Sequence, residues 1–195
     1  MPKMRQESVR EMNFADLQRV VEYVNLNSPH ECGHIIVLFK AGRLKGLNFL
    51  PHEVAADGVK GVIETAPVNE LGKEDCVGLA AGIIGELIGR GQYDPRTLLD
   101  DRKKVQDLVS QPLENFALEA YEIIRQNLLF FVLLNIEVGK KMFATLKNAY
   151  FSLSDEDYAK LPYEVPIFTL AEVEEVHSRA ESTLAGFRDE RKNAP

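Results

Sequence analysis

His30, Glu31 and His34 stand in the order His-Glu-Cys-Gly-His. On a helix, positions i and i+4 share one face, so both imidazoles can reach a single Zn2+ at about 2.0–2.1 Å. Glu31 projects beside them, where its carboxylate can hydrogen-bond a water at a remaining metal position. The metal brings the pKa of such a water to near 7, and the carboxylate takes its proton. A different reading uses the same residues. Ser28-Pro29-His30-Glu31 is an S-x-x-E capping box with proline at the first helical position. The two readings exclude one another, because a Glu31 folded back onto the Ser28 amide cannot also serve a water on a metal. The metal reading is preferred, since the pattern takes two of only four histidines and opens an apolar stretch.

A catalytic zinc site needs a third protein ligand and an open fourth position. His52 and Glu53 lie in a Pro-His-Glu turn and read first as turn residues. Glu86 is a lone carboxylate in an apolar, glycine-striped segment. Burying it unpaired would cost several kcal/mol, so it is expected to contact a partner such as a ligating histidine. Asp100 and Asp101 are expected to open the next helix, where complementarity to the helix dipole is the ordinary alternative to metal binding. Cys32 falls on another face of the helix from His30 and reads as core.

These residues need elements to position them. Phe14, Leu17, Val20, Val21 and Val24 recur at helical spacing and predict an amphipathic helix over 14–25. Asn27-Ser28-Pro29 breaks it, and a second helix follows from His30 to about Lys40, stopped near Gly42. Leu44 to Ala66 is rich in β-formers punctuated by Pro51, Gly58 and Gly61, which predicts two or three short strands. A helix from about Lys73 to Gly89 carries Gly78, Gly82, Gly85 and Gly89 on one face. Glycine costs about 1 kcal/mol against alanine in a helix interior, so this stripe predicts close approach of another backbone. Residues 91–97 read as a loop, followed by a helix with Asp101, Val105, Leu108 and Val109. Leu113 to about Tyr150 forms one helix, or two joined near Gly139. Pro162 and Pro166 bound a linker, Thr169-Leu170-Ala171-Glu172 caps a last charged helix, and Arg188–Pro195 is a frayed tail.

The chain of 195 residues has a net charge of −7, which argues against nucleic-acid and anionic-membrane partners. Cys32 and Cys76 have no paired spacing and suit a reducing compartment. The first ten residues lack the apolar core of a signal peptide, and the apolar run Asn127–Ile136 is too short to span a bilayer. The expected location is cytoplasmic. Phe130 and Phe131 read as core in preference to a face for a homo-oligomer, and His177 reads as a solvated surface residue.

His30-Glu31-Cys32-Gly33-His34, the Pro- and Gly-punctuated β-segment, A-A-G-I-I-G-E-L-I-G and the Asp-headed helix together resemble the peptidase domain of FtsH, the ATP-dependent zinc protease. Glu119 to Asn127 also looks like a later helix of that family, and the resemblance runs from about Ser28 to Phe143. It implies a mainly α (α+β) fold: a helical metallopeptidase domain with a small β-segment over residues 1–150. A linker and charged helix over 151–195 would be packed on it or appended. By the same resemblance His30, His34 and Asp101 hold Zn2+, Glu31 is the catalytic base, and Glu86 orients the metal site. Asp100 is the alternative third ligand. Asp101 ranks first because its followers at +4, +7 and +8 are Val105, Leu108 and Val109, whereas Asp100 would bury Lys104. Leu47–Leu50 and Val62–Thr65 resemble the segment where the family adds substrate as a strand.

The sequence also departs from the family. Pro29 directly precedes the motif, Arg102 follows the aspartate where an apolar residue is usual, and the T-x-G-A lead-in is absent. No G-x-x-x-x-G-K-[ST] loop occurs in these residues, and the expectation is a peptidase part without an ATPase domain. The resulting expectation is a stand-alone zinc metalloendopeptidase that hydrolyses flexible polypeptide, either broadly or at one regulatory target. The alternative is a catalytically inactive or regulatory module of the same fold that binds a peptide or protein partner.

Overall fold

The computed structural model describes residues 14–55, 58–65, 72–147, 160 and 165–193. Helix α1 spans Phe14–Lys40, followed by strands β1 (Leu44–Ala55) and β2 (Gly58–Thr65) and helices α2 (Lys73–Arg90) and α3 (Pro95–Val109). Helices α4 (Glu114–Gln126) and α5 (Leu128–Lys147), strand β3 (Val165–Thr169) and helix α6 (Leu170–Asn193) complete the described elements. The expected mainly helical fold with a small sheet is present.

Two expected helices, 14–25 and 30–40, are one. Proline removes an amide donor and crowds the preceding turn, which ordinarily ends a helix. Here α1 runs through Pro29 because the surrounding packing holds that turn. Ser28 is buried with its Oγ 2.6 Å from Oδ1 and 3.0 Å from O of Asn135 on α5. The Leu26 carbonyl lies 3.5 Å from Arg90 Nη1 on α2. Thus the residue expected to cap a helix start instead ties the middle of α1 to α5. The helix ends where expected, with Gly42 at φ +68° and the Arg43 amide donating to Leu38 O at 2.8 Å.

The glycine stripe of α2 meets α1. A Cβ on Gly85 would stand 2.2 Å from Pro29 O, and one on Gly33 of α1 would stand 2.0 Å from Ala81 O. The two backbones are in contact there, as the stripe predicts, and any side chain would force them apart. Cys32, Ile35, Ile36, Val77, Ala80 and Ala81 fill the core around this crossing. Phe130, Phe131, Leu134 and Val138 close it from α5. The phenylalanine pair is therefore core.

The break expected near Gly139 falls at Asn127, which leaves helical geometry at φ −116° and ψ 32° and returns its Nδ2 to Ile123 O at 2.8 Å. Gly139 continues α5, where it lies against Val24 and Ser28 of α1.

β1 and β2 form an antiparallel hairpin, from Leu44↔Thr65 to Ala55↔Gly58, with an irregularity between Leu50 and Val54 where Pro51 cannot donate. β3 pairs with the other edge of β1, Leu47↔Phe168 and Phe49↔Val165, giving the order β2-β1-β3. Pro166, expected to bound a linker, is a residue of this strand, and Pro162 lies outside the described residues. The Thr169 cap forms: its amide donates to Glu172 Oε2 at 2.8 Å. Arg188 to Asn193, expected as a frayed tail, continue α6. No helix among the described residues is long and apolar enough to cross a membrane.

Candidate metal centre

His30 and His34 lie on the face of α1 turned to α2 and α3. Both are buried, as are Glu31, Glu86 and Asp101. Helical spacing brings the two imidazoles to a near-perpendicular contact, with centroids 4.5 Å apart and an interplanar angle of 85°. Gly82 of α2 is the floor of the pair. A Cβ there would lie 2.5 Å from His30 Cε1 and 2.6 Å from His34 Nε2, so only glycine leaves both rings in place.

Second partners fix each ring. His34 Nδ1 lies 2.6 Å from the Gly78 carbonyl, which accepts only, so that nitrogen carries the proton. His30 Nδ1 lies 2.7 Å from Glu86 Oε1 and donates to it. Both Nε2 atoms are left pointing at each other, 2.9 Å apart. Asp101 Oδ2 completes the group at 3.5 Å from His30 Nε2 and 3.7 Å from His34 Nε2. That oxygen is buried and has no hydrogen-bond partner among the described residues.

This donor set fits a metal ion. Tetrahedral ligands about 2.0–2.1 Å from one zinc stand about 3.3–3.4 Å from one another. The three separations bracket that value, and the ligand atoms converge within 4.8 Å. Without a cation, two lone pairs and a carboxylate oxygen would face each other away from water, an arrangement that is costly unless a proton or metal lies between them.

Glu86, fully buried on α2, is held from both ends. Oε1 accepts from His30, while Oε2 accepts the Asp94 amide at 2.5 Å and has Arg90 Nη1 at 3.5 Å. The contact with a histidine of the pair, expected from the cost of burying a lone carboxylate, is present. Asp101 is not at a helix start: α3 begins at Pro95, within the segment expected as a loop, which puts Asp101 in the second turn. Complementarity to the helix dipole therefore does not account for it. Val105, one turn on, is buried, and Lys104 points outward with Nζ 3.5 Å from Asp101 Oδ1. The side chains of Asp100, His52 and Glu53 lie outside the described residues.

The electrostatics follow from burial. Burial alone would lower the His30 pKa, but the Glu86 hydrogen bond and the charges of Asp101, Glu31 and Glu86 raise it above 6.5. Burial, with the charge of His30 beside it, lowers His34 to about 4. The pair therefore shares its proton unequally. Glu31 is raised above the usual carboxylate range, chiefly by burial, with His30 opposing and Asp101 adding to the shift. Among the described residues no hydrogen bond holds it, and the capping box with Ser28 is not formed.

Several contributors escape a reading of motifs. Gly78 supplies a carbonyl, Gly82 supplies space, and the Asp94 amide braces Glu86. Only the glycine spacing hinted at the first two. Cys32 is buried core, as expected. His177, expected on the surface, is half-buried between Phe39 and Phe130, with ring centroids at 5.2 and 5.0 Å, and its Nε2 accepts from Lys40 Nζ at 2.8 Å.

No protein-family model, curated protein or solved structure matches this chain.

Proposed function

We propose that the chain is a zinc metalloendopeptidase of the FtsH peptidase type that hydrolyses flexible polypeptide. One observation carries the proposal: two histidine lone pairs and an unpartnered carboxylate oxygen converge in a buried site beside a carboxylate that has no structural employment. His30, His34 and Asp101 would hold the ion. A bound zinc supplies Lewis acidity, lowering the pKa of a water to near 7 and polarising a carbonyl. Glu31 takes a proton from the attacking water and returns it to the departing amine. Glu86 and the Gly78 carbonyl hold the histidines in the tautomer that presents Nε2.

Polypeptide as the substrate class follows from the resemblance of the hairpin to a strand-adding segment. β1 has both edges paired, so of the two stretches that resemble a strand-adding segment only β2 keeps an outer edge unpaired by another described strand. Backbone pairing there would read chain more than side chain. The buried free thiols Cys32 and Cys76 favour a reducing, cytoplasmic setting. An inactive binding module would use Glu31 as the cap of a helix start, and α1 passes through that point without one.

The test has two steps. Metal content of native protein purified without chelators or a histidine tag is expected to be about one zinc per chain, lost in His34→Ala. Glu31→Gln is then expected to keep the zinc and to lose at least about a hundredfold in hydrolysis of casein. Undiminished hydrolysis by that variant would exclude Glu31 as the base.

A further inference from the structure

The two oxygens of Asp101 have different surroundings. Oδ2 is buried, without a donor, and turned to both histidine Nε2 atoms. Oδ1 lies 3.5 Å from the ammonium of Lys104, one turn along α3. The Lys104 side chain is 48% exposed and that of Asp101 only 4%, so the ammonium stands at the rim of the site above the carboxylate. A carboxylate can bind a cation through one oxygen or through both. In a site with three protein ligands and a water, a second oxygen from the same carboxylate would join as a fifth ligand atom and crowd the position that water needs. Nothing in the bond angles of aspartate prevents that. A charge drawing one oxygen to the other side does.

We infer that Lys104 is a positioning residue that keeps Asp101 Oδ1 off the metal, so that Asp101 binds through Oδ2 alone and a coordination position stays open beside Glu31. The inference rests on the metal reading above and gives a role to a residue which that reading does not use. It also accounts for a lysine beside a cation site, where simple electrostatics would disfavour one.

Co2+ in place of zinc reports coordination directly through its visible absorption. One equivalent bound by the wild-type chain is expected to give the strong bands of a four-coordinate site. In Lys104→Met, with Oδ1 released, one equivalent should still bind, with the bands weakened about twofold or more as a fifth ligand atom joins. Lys104→Arg should keep the wild-type spectrum. An unchanged spectrum in Lys104→Met overturns the inference. So does loss of Co2+ from that variant, since Lys104 would then be holding the ligand set together and not limiting it. Wild-type protein that takes up no Co2+ removes the metal reading itself, and the inference with it, before any variant is made.

Discussion

His30 Nε2 and His34 Nε2 face each other at 2.9 Å while the Nδ1 atom of each ring is committed elsewhere, to Glu86 and to the Gly78 carbonyl. Two acceptors so placed in a buried site call for a cation between them. Zinc should therefore bind the folded chain and not the unfolded one. At a free concentration about a hundredfold above its dissociation constant it stabilises the fold by about 2.7 kcal/mol. For a chain of this size that is roughly 5–10 °C in Tm by scanning calorimetry. His34→Ala should abolish the response. A wild-type melting temperature indifferent to zinc would leave a shared proton as the only cation between the rings.

Gly82 and Gly78 share one stripe but should answer differently to a methyl group. At Gly78 the nearest atoms belong to the flexible end of Leu38, at 2.9 Å, so Gly78→Ala can be absorbed and partly offset by helix propensity of about 1 kcal/mol. At Gly82 the methyl would enter both imidazole rings. Overpacking of that kind costs about 1–3 kcal/mol, and here it is relieved only by turning a ligand. Gly82→Ala should lose tenfold or more in zinc affinity by competition titration, on the order of 1.4 kcal/mol. Gly78→Ala should remain close to wild type. Equal affinities in the two variants would count against the ring pair as the site.

What the sequence shows and hides at this site has physical reasons. The histidine spacing and the glycine stripe were legible because each follows from helical periodicity, which one chain segment carries by itself; Asp101 came from a family resemblance, with periodicity ranking it above Asp100. The continuity of α1 through Pro29 was not legible. Proline's local preference points to a break, and the compensating contacts, Ser28 to Asn135 and Arg90 to Leu26, come from residues far along the chain. The same holds for β3. Pro166 reads as the end of a linker, yet it lies in Val165–Thr169, which becomes a strand only because β1 offers an edge. The break at Asn127 shows that an asparagine able to bond its own preceding turn can end a helix where a glycine packed against a neighbour does not.

His177 offers a titration away from the metal centre. Burial between Phe39 and Phe130, then the Lys40 ammonium donating to Nε2, lower its pKa, with Glu181 opposing. A histidine whose folded pKa lies below its unfolded value binds the proton more weakly when folded. Its contribution is therefore complete above pH 6.5 and is lost as pH falls through the folded value. Its ring resonances should titrate below 6.5 in NMR. Lys40→Met should move the midpoint upward by removing the charge, and an unmoved midpoint would mean that burial alone sets it.

Glu86 joins the candidate metal centre to the rest of α2, and its two oxygens separate two effects. Glu86→Ala removes the acceptor of the part-buried Asp94 amide and of the buried His30 Nδ1, at about 2–5 kcal/mol in the stability of the metal-free protein. It also frees the His30 ring to turn, and loss of such a supporting partner typically weakens metal binding by about 10–100-fold. Glu86→Gln divides the two. Its carbonyl oxygen can accept from His30, which should recover much of the zinc affinity. Its amide nitrogen then meets the Asp94 amide donor at the distance now spanned by a 2.5 Å hydrogen bond, so stability should remain below wild type. Urea denaturation of the metal-free proteins, set beside zinc competition titrations, reads the two quantities independently. If Glu86→Gln recovered stability but not zinc affinity, the charge on Glu86, and not its hold on the His30 ring, would be what the site requires.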